Sequence, residues 1–169
     1  KWEKGYPVLL RAFYRVLDRL PGYVLVIVGD GEDRDSLMKL AGELGMEDRV
    51  VFALQQPQRR VAELLGESDL FVMSSVSEGF PKVLLEALAC GLPLVVTDVG
   101  SCGELVRSND VGKVVPPSDH VLLGDAMVAM LSDRAYHDEC VRRSGPVARE
   151  YEWSHVADLV HHEYQNILA

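Results

Sequence analysis

Cysteine is scarce in this chain: Cys90, Cys102 and Cys140 are the only thiols in 169 residues. The number is odd and no Cys-x-x-Cys pair occurs, so the sequence offers no disulfide framework, and the thiols read as reduced in a cytoplasmic setting. Basic residues are outnumbered, 17 against 26 acidic ones, for a net charge of -9. With no long basic run, nucleic acid is argued against as a partner. An anionic ligand would have to be held by local backbone dipoles and a few cations, because the global field repels it. No apolar run is long enough to span a bilayer, and no signal peptide is visible. H-E-x-x-H, G-x-S-x-G and P-loop patterns are all missing, and no Cys/His cluster suggests a metal site. His161 and His162 are adjacent, so on a helix they point to different sides.

What is present suffices for one core: 48% of the residues are hydrophobic. The chain opens at Lys1 without Met and stops within a helical pattern. It therefore reads as one domain, residues 1–169, taken from a longer protein. Val8, Leu9, Ala12, Phe13, Val16, Leu17 and Leu20 recur at helical spacing, with Pro7 at the start and Pro21-Gly22 at the stop. Val24 to Val28 is a continuous apolar run, expected to be a strand buried on both faces. A helix over 34–44 and a strand over 50–54 follow. A short helix near 61–66, a strand over 70–73, a helix over 82–90 and a strand over 94–97 come next. A short helix from about Gly103 and a strand over 111–115 complete the alternation. Helices are expected over 119–131, 134–150 and 154–168.

Strands alternating with helices through short loops predict an α/β fold. The default is a doubly wound, Rossmann-like parallel sheet with helices on both faces. Such a domain ordinarily opens on a strand, whereas this chain opens on a helix, so a first strand is expected upstream. Ligands of such sheets sit outside the C-terminal strand ends. Those ends carry Gly29-Asp30-Gly31, Gln55-Gln56, the stretch from Ser74-Ser75 to Glu78, and Thr97 to Glu104.

Residues 78–93 read EGFPKVLLEALACGLP. Gly79 lets a backbone approach a ligand, and Pro81 suits the start of a helix whose free N–H groups favour a phosphate. An ordinary loop-to-helix turn, with Glu78 near a favourable dipole, accounts for the same pattern about equally well. Glu86 is harder to dismiss. It stands among Val83, Leu84, Leu85, Ala87, Leu88 and Ala89, where a carboxylate is costly without a hydrogen-bond partner. Gly29-Asp30-Gly31 is a weak signal that a plain turn would match. It is not the dinucleotide fingerprint, because Arg34 stands where a third glycine belongs. Gly100 to Glu104 reads either as an anion-binding turn or as the start of a helix, and Cys102 as a packed thiol rather than a reactive one.

These residues resemble the C-terminal, donor-binding domain of a GT-B fold glycosyltransferase of family 4. The resemblance runs through Lys4-Gly5, VLVIVGDGED at 24–33, SDLFVMSSVSEGF at 68–80, EALACGLPLVVTDVG at 86–100, Glu104, Gly112 and Tyr151 to Ser154. Its strongest element is the pair Glu78 and Glu86, with seven residues between them. The resemblance implies a retaining transferase that takes a hexosyl group from a nucleoside-diphosphate sugar and needs no metal or other cofactor. Glu78 would accept hydrogen bonds from the sugar, and Glu86 from the ribose. Gly79, Phe80, Pro81 and Lys82 would line the diphosphate and sugar, and Lys4 would stabilise the departing diphosphate. Gln55 would lie in the base-binding loop, with Gly29 and Gly31 at the neighbouring strand end. An N-terminal acceptor domain would complete the enzyme, and residues 151–169 would cross back to it, exposing His155, Leu159 and Tyr164 here. The acceptor would be a glycan, a lipid or a small molecule. The full-length protein would be cytoplasmic, with room for peripheral association at the inner membrane face. The fragment alone would transfer little. The alternatives are a nucleotide-sugar epimerase or phosphorylase on the same fold, or a non-catalytic nucleotide-binding module.

Overall fold

A computed structural model describes residues 2–152 together with 154, 155, 157, 158, 161, 164 and 165. A 3-10 turn at Trp2–Lys4 leads into α1 (Tyr6–Arg19), β1 (Leu25–Ile27), α2 (Arg34–Glu43), β2 (Val50–Phe52), α3 (Gln58–Gly66), β3 (Phe71–Met73) and α4 (Lys82–Ala89). Then come β4 (Leu94–Thr97), α5 (Cys102–Asn109), β5 (Gly112–Val115), α6 (His120–Ser132) and α7 (Arg134–Glu150). Of the helix expected over 154–168, the described positions are helical, and His155 and Tyr164 are exposed. Leu159 lies outside the described residues.

All strand pairs are parallel. β1 pairs with β2, and β3, β4 and β5 pair in that order, so the hydrogen-bonded ladder falls into two groups. β4 is buried along its whole length. Its side chains alternate between two cores, as a pleated strand requires. Val95 joins the core built from α1, α2 and α6, whereas Leu94 and Val96 join the core built from α4, α5 and α7. Helices thus cover both faces, as the alternating pattern predicts.

Local chemistry sets the helix ends. Gly5 stands before α1 at φ +66°, and its carbonyl accepts the N–H of Leu9. Asp119 caps α6 by accepting from Val121 and Leu122, and Asp133 caps α7 by accepting from Tyr136.

One expectation fails. The 24–28 run is not buried on both faces, because Val24 is 48% and Val26 39% exposed. The strand is shorter than expected, and among the described residues only β2 pairs with it. α3 shares the anomaly: it is amphipathic, yet none of its residues is fully buried.

Leu88 lies in the second core with no exposed surface. Leu88→Ala is expected to cost about 2–5 kcal/mol of folding stability, read from urea unfolding. A loss below about 1 kcal/mol would show that this core relaxes around the cavity.

Candidate functional site

The end of β4 organises the C-terminal edge. Thr97 is buried, and its hydroxyl donates to the carbonyl of Ser75 at 2.6 Å, tying the end of β4 to the loop after β3. Ser75 in turn donates through Oγ to Glu78 Oε1 at 2.8 Å. Lys4 Nζ donates to the same oxygen at 2.6 Å, closing an ion pair between residues 74 apart in sequence.

Backbone contacts fix where Lys4 stands. Ser74 Oγ donates to the Lys4 carbonyl at 2.9 Å, and the Val76 N–H donates to the Glu3 carbonyl at 2.8 Å. Gly5 then passes so close to β3 that an added Cβ would lie 1.9 Å from the Ser74 carbonyl oxygen. A second loop presses on the other side. At Gly100, φ +54°, a Cβ would lie 2.2 Å from the Glu78 carbonyl oxygen. Ser101 donates to the Gly79 carbonyl through its N–H at 3.3 Å and its hydroxyl at 3.1 Å.

Beside this cluster, α4 begins. Pro81 is its extended cap, which leaves the N–H groups of Lys82 and Val83 without intrahelical acceptors. The start of α4 is therefore a region of partial positive charge close to Glu78. Phe80, partly exposed, meets Tyr151 with ring centroids 5.6 Å apart, so the segment after α7 touches the 78–81 loop. Lys82 is exposed. Glu86 is half-buried on α4 and has no side-chain hydrogen bond among the described residues.

Burial pulls the Glu78 carboxyl upward. The hydrogen bonds from Lys4 and Ser75, with the Lys4 charge, outweigh it and hold the group below the usual carboxylate range. Cys102 is buried, and desolvation together with the charges of Glu78 and Asp98 pushes its thiol up. It is therefore a neutral packing group at physiological pH. Among the described residues no three His, Cys, Asp or Glu side chains gather as a metal ion would need.

The candidate residues fall into two groups. Lys4, Glu78, Gly79, Phe80, Pro81 and Lys82 cluster at the end of β3 and the start of α4, with Glu86 one turn into that helix. Gly29, Gly31 and Gln55 gather at the ends of β1 and β2, where the Gly29 N–H donates to the Leu54 carbonyl at 2.7 Å. Gln55 and Gly31 are exposed there, and Gly31 donates its N–H to Asp30 Oδ1 at 2.9 Å. No hydrogen bond joins the two groups among the described residues. The reading of the sequence left the supporting residues Thr97, Gly100 and Tyr151 without roles. A hydroxyl closing an all-apolar strand was the available signal for Thr97, and the Gly after Val99 for the close approach at Gly100. Tyr151 was marked only by the family resemblance, which gave it no contact, because that contact depends on where α7 ends.

A parallel sheet with a cation–carboxylate pair and a helix N-terminus at its C-terminal edge defines a Rossmann-like ligand-binding domain. The chain belongs to the glycosyl transferases group 1 family, whose model matches residues 1–145. It is 34% identical to a D-inositol 3-phosphate glycosyltransferase of Nocardia farcinica over 98% of its own length and 38% of that protein's. Among solved structures it resembles sucrose-phosphate synthase of Thermosynechococcus elongatus, at TM-score 0.85 and 26% identity over 99% of this chain and 43% of that one. It also resembles Anabaena HepE in complex with UDP-glucose, at TM-score 0.80 and 25% identity over 89% and 42%. The fold is thus that of one half of a GT-B glycosyltransferase. The chain spans less than half the length of these relatives. No helix among the described residues is long and apolar enough to cross a membrane.

The lowered Glu78 pKa has a pH consequence. A carboxylate whose folded pKa is depressed stabilises the fold above its unfolded value, about 4.3 for Glu, and loses that contribution as pH falls through the folded value. In an NMR titration, Glu78 is expected below the ordinary range, and Lys4→Met is expected to move it upward, since the burial cost remains while the cation is gone. An unchanged titration in the variant would show that the ion pair does not form in solution.

Proposed function

We propose that this domain is the donor-binding half of a retaining glycosyltransferase that holds a nucleoside-diphosphate sugar. The observation that carries the reading is the convergence of the Lys4 amine, the Glu78 carboxylate and the start of α4 at one strand edge. Family membership supports it, as does likeness to HepE, whose solved complex contains UDP-glucose.

The chemistry follows from the charges. Transfer breaks the bond between the sugar's anomeric carbon and the phosphate oxygen, and the electron pair leaves with the nucleoside diphosphate. The growing negative charge is met by Lys4 and by the free N–H groups of Lys82 and Val83, fixed dipoles that need no reorganisation as the bond breaks. The scheme draws on no metal ion. Glu78 Oε1 is occupied by Lys4 and Ser75. Oε2 remains to accept a sugar hydroxyl, while the depressed pKa keeps the group an acceptor. Glu86 offers its carboxylate to the ribose diol, and the loop at Gln55 offers backbone groups to the base. Phe80 forms a wall steadied by Tyr151. The acceptor, a glycan, lipid or small molecule, is brought by the other half of the enzyme, so the 169-residue chain binds donor weakly and transfers little.

Calorimetry with UDP-glucose and UDP separates these roles. A hydrogen bond to a charged group contributes about 1.5–3 kcal/mol, roughly 10- to 100-fold in affinity. Glu78→Ala is expected to weaken UDP-glucose by that factor. UDP is expected to keep its affinity, because freeing Lys4 from its carboxylate and losing that carboxylate's ordering of Lys4 act in opposite directions. Glu86→Ala is expected to weaken both ligands. If neither variant changes either affinity, the donor-site reading fails.

A further inference from the structure

The carbonyl of Lys4 has no backbone donor. It closes the 3-10 turn Trp2–Lys4 and stands one residue ahead of Gly5, whose own carbonyl takes the Leu9 N–H. Continuing the 3-10 turn would direct the N–H of residue 7 at it, and residue 7 is Pro, which has none. No other backbone N–H among the described residues donates to it. An unpaired carbonyl at that place would be free to turn toward water, and the Lys4 backbone would turn with it.

Ser74 supplies the missing donor. It follows β3 and is 3% exposed, and its Oγ donates to the Lys4 carbonyl at 2.9 Å. In a place closed to water a hydrogen bond is electrostatically stronger than in solvent. The close approach of Gly5 brings the two segments within reach, since its added Cβ would lie 3.3 Å from the same Oγ. Ser75, the next residue, is also buried and serves the other partner, donating to Glu78 Oε1 at 2.8 Å. Two consecutive hydroxyls thus set the two ends of the Lys4–Glu78 pair by different routes. One acts through the main chain of Lys4, the other through the carboxylate itself.

We propose that Ser74 is the positioning residue for the Lys4 amine: its hydroxyl stands in for the N–H that Pro7 lacks and so holds the turn that carries Lys4 beside Glu78. The peptide planes on either side of Lys4 show why this bond matters. The Val76 N–H, bonded to the Glu3 carbonyl, fixes the plane before Lys4. Ser74 Oγ, bonded to the Lys4 carbonyl, fixes the plane after it. Only the two together set φ and ψ of Lys4, and with them the direction in which its side chain leaves the backbone. Without the Ser74 hydroxyl the second plane loses its hydrogen bond, and the amine spends less time at the strand edge. The Glu78 carboxylate and any anion bound there then lose the cation together, in proportion to the time it is away. That Lys4 serves a diphosphate rests on the donor-site reading; that Ser74 places Lys4 does not.

An NMR titration of the Glu78 carboxyl in the ligand-free chain tests the placement. Ser74→Ala is expected to raise the Glu78 titration part of the way to its position in Lys4→Met, because the cation is beside the carboxylate less of the time. In a Lys4→Met background Ser74→Ala is expected to add nothing. Ser75→Ala should still raise the titration there, because its hydrogen bond goes to the carboxylate directly. A Glu78 titration unmoved by Ser74→Ala overturns the proposal. A shift of equal size in the Lys4→Met background also overturns it, since Ser74 would then act on Glu78 without Lys4. Should Ser74→Ala fail to fold, Ser74→Cys, a weaker donor, is read in its place for the same outcomes. Calorimetry with UDP judges the donor reading separately. Ser74→Ala is expected to weaken UDP roughly 2- to 10-fold, the contribution of one neutral hydrogen bond, and to change nothing further in the Lys4→Met background. A shifted titration with unchanged UDP affinity upholds the placement and refutes the diphosphate role of Lys4.

Discussion

β4 is the strand from which the rest of the molecule takes its position. Its four residues are buried, with Val95 in one core and Leu94 and Val96 in the other. A slip of one residue would exchange these sets between cores of different shape, so register is strongly specified. The pairings of Leu94 with Phe71 on one side and with Gly112 on the other follow from that constraint. Gly112 tightens it, since an added Cβ would lie 1.9 Å from the Leu94 carbonyl oxygen. Thr97 therefore comes to rest at one place, at the end of β4, where its hydroxyl holds the Ser75 carbonyl. The loop bearing Glu78 is a consequence of core packing before it is a matter of site chemistry.

The proposed donor site requires a chain of net charge -9 to hold an anion by local means. The ingredients are one lysine, the start of one helix and a carboxylate that holds the lysine in place. The carboxylate is not a simple competitor for the lysine. Lys4 is half exposed and long, and alone it would sample many rotamers at an entropic cost on binding. Tethering it to Glu78 orders it in advance at a strand end, and the Ser74 and Val76 contacts order the backbone beneath it. The two-oxygen geometry of Glu78 lets one atom serve that purpose while the other stays available.

The sequence was most legible where one physical signal dominated. Gly45 and Gly91, beyond the ends of α2 and α4, take positive φ, and α7 begins and ends as read. Strands came out shorter than their apolar runs, because Val24, Val28, Leu54 and Leu70 continue the pattern without continuing the ladder. Glu78 and Glu86 were visible as carboxylates in unusual company. Their surroundings were not, because Lys4, Thr97, Gly100 and Tyr151 reach the 75–80 segment through tertiary approach. No local pattern encodes a contact made across 74 residues, as that of Lys4 with Glu78 is.

The mismatch at β1 differs in kind from those boundary shifts. Val-Leu-Val-Ile-Val is a composition for water-free surroundings on both faces. The same holds for the Val61, Leu64 and Leu65 stripe of α3, which is amphipathic without burying any residue fully. A single misjudged strand would have left its neighbours normal. Here two elements on different sides of one cavity carry more apolar surface than their contacts use, and among the described residues no strand pairs with the edges of β1 and β3 along the same cavity. Side chains and main chain therefore report the same deficit independently.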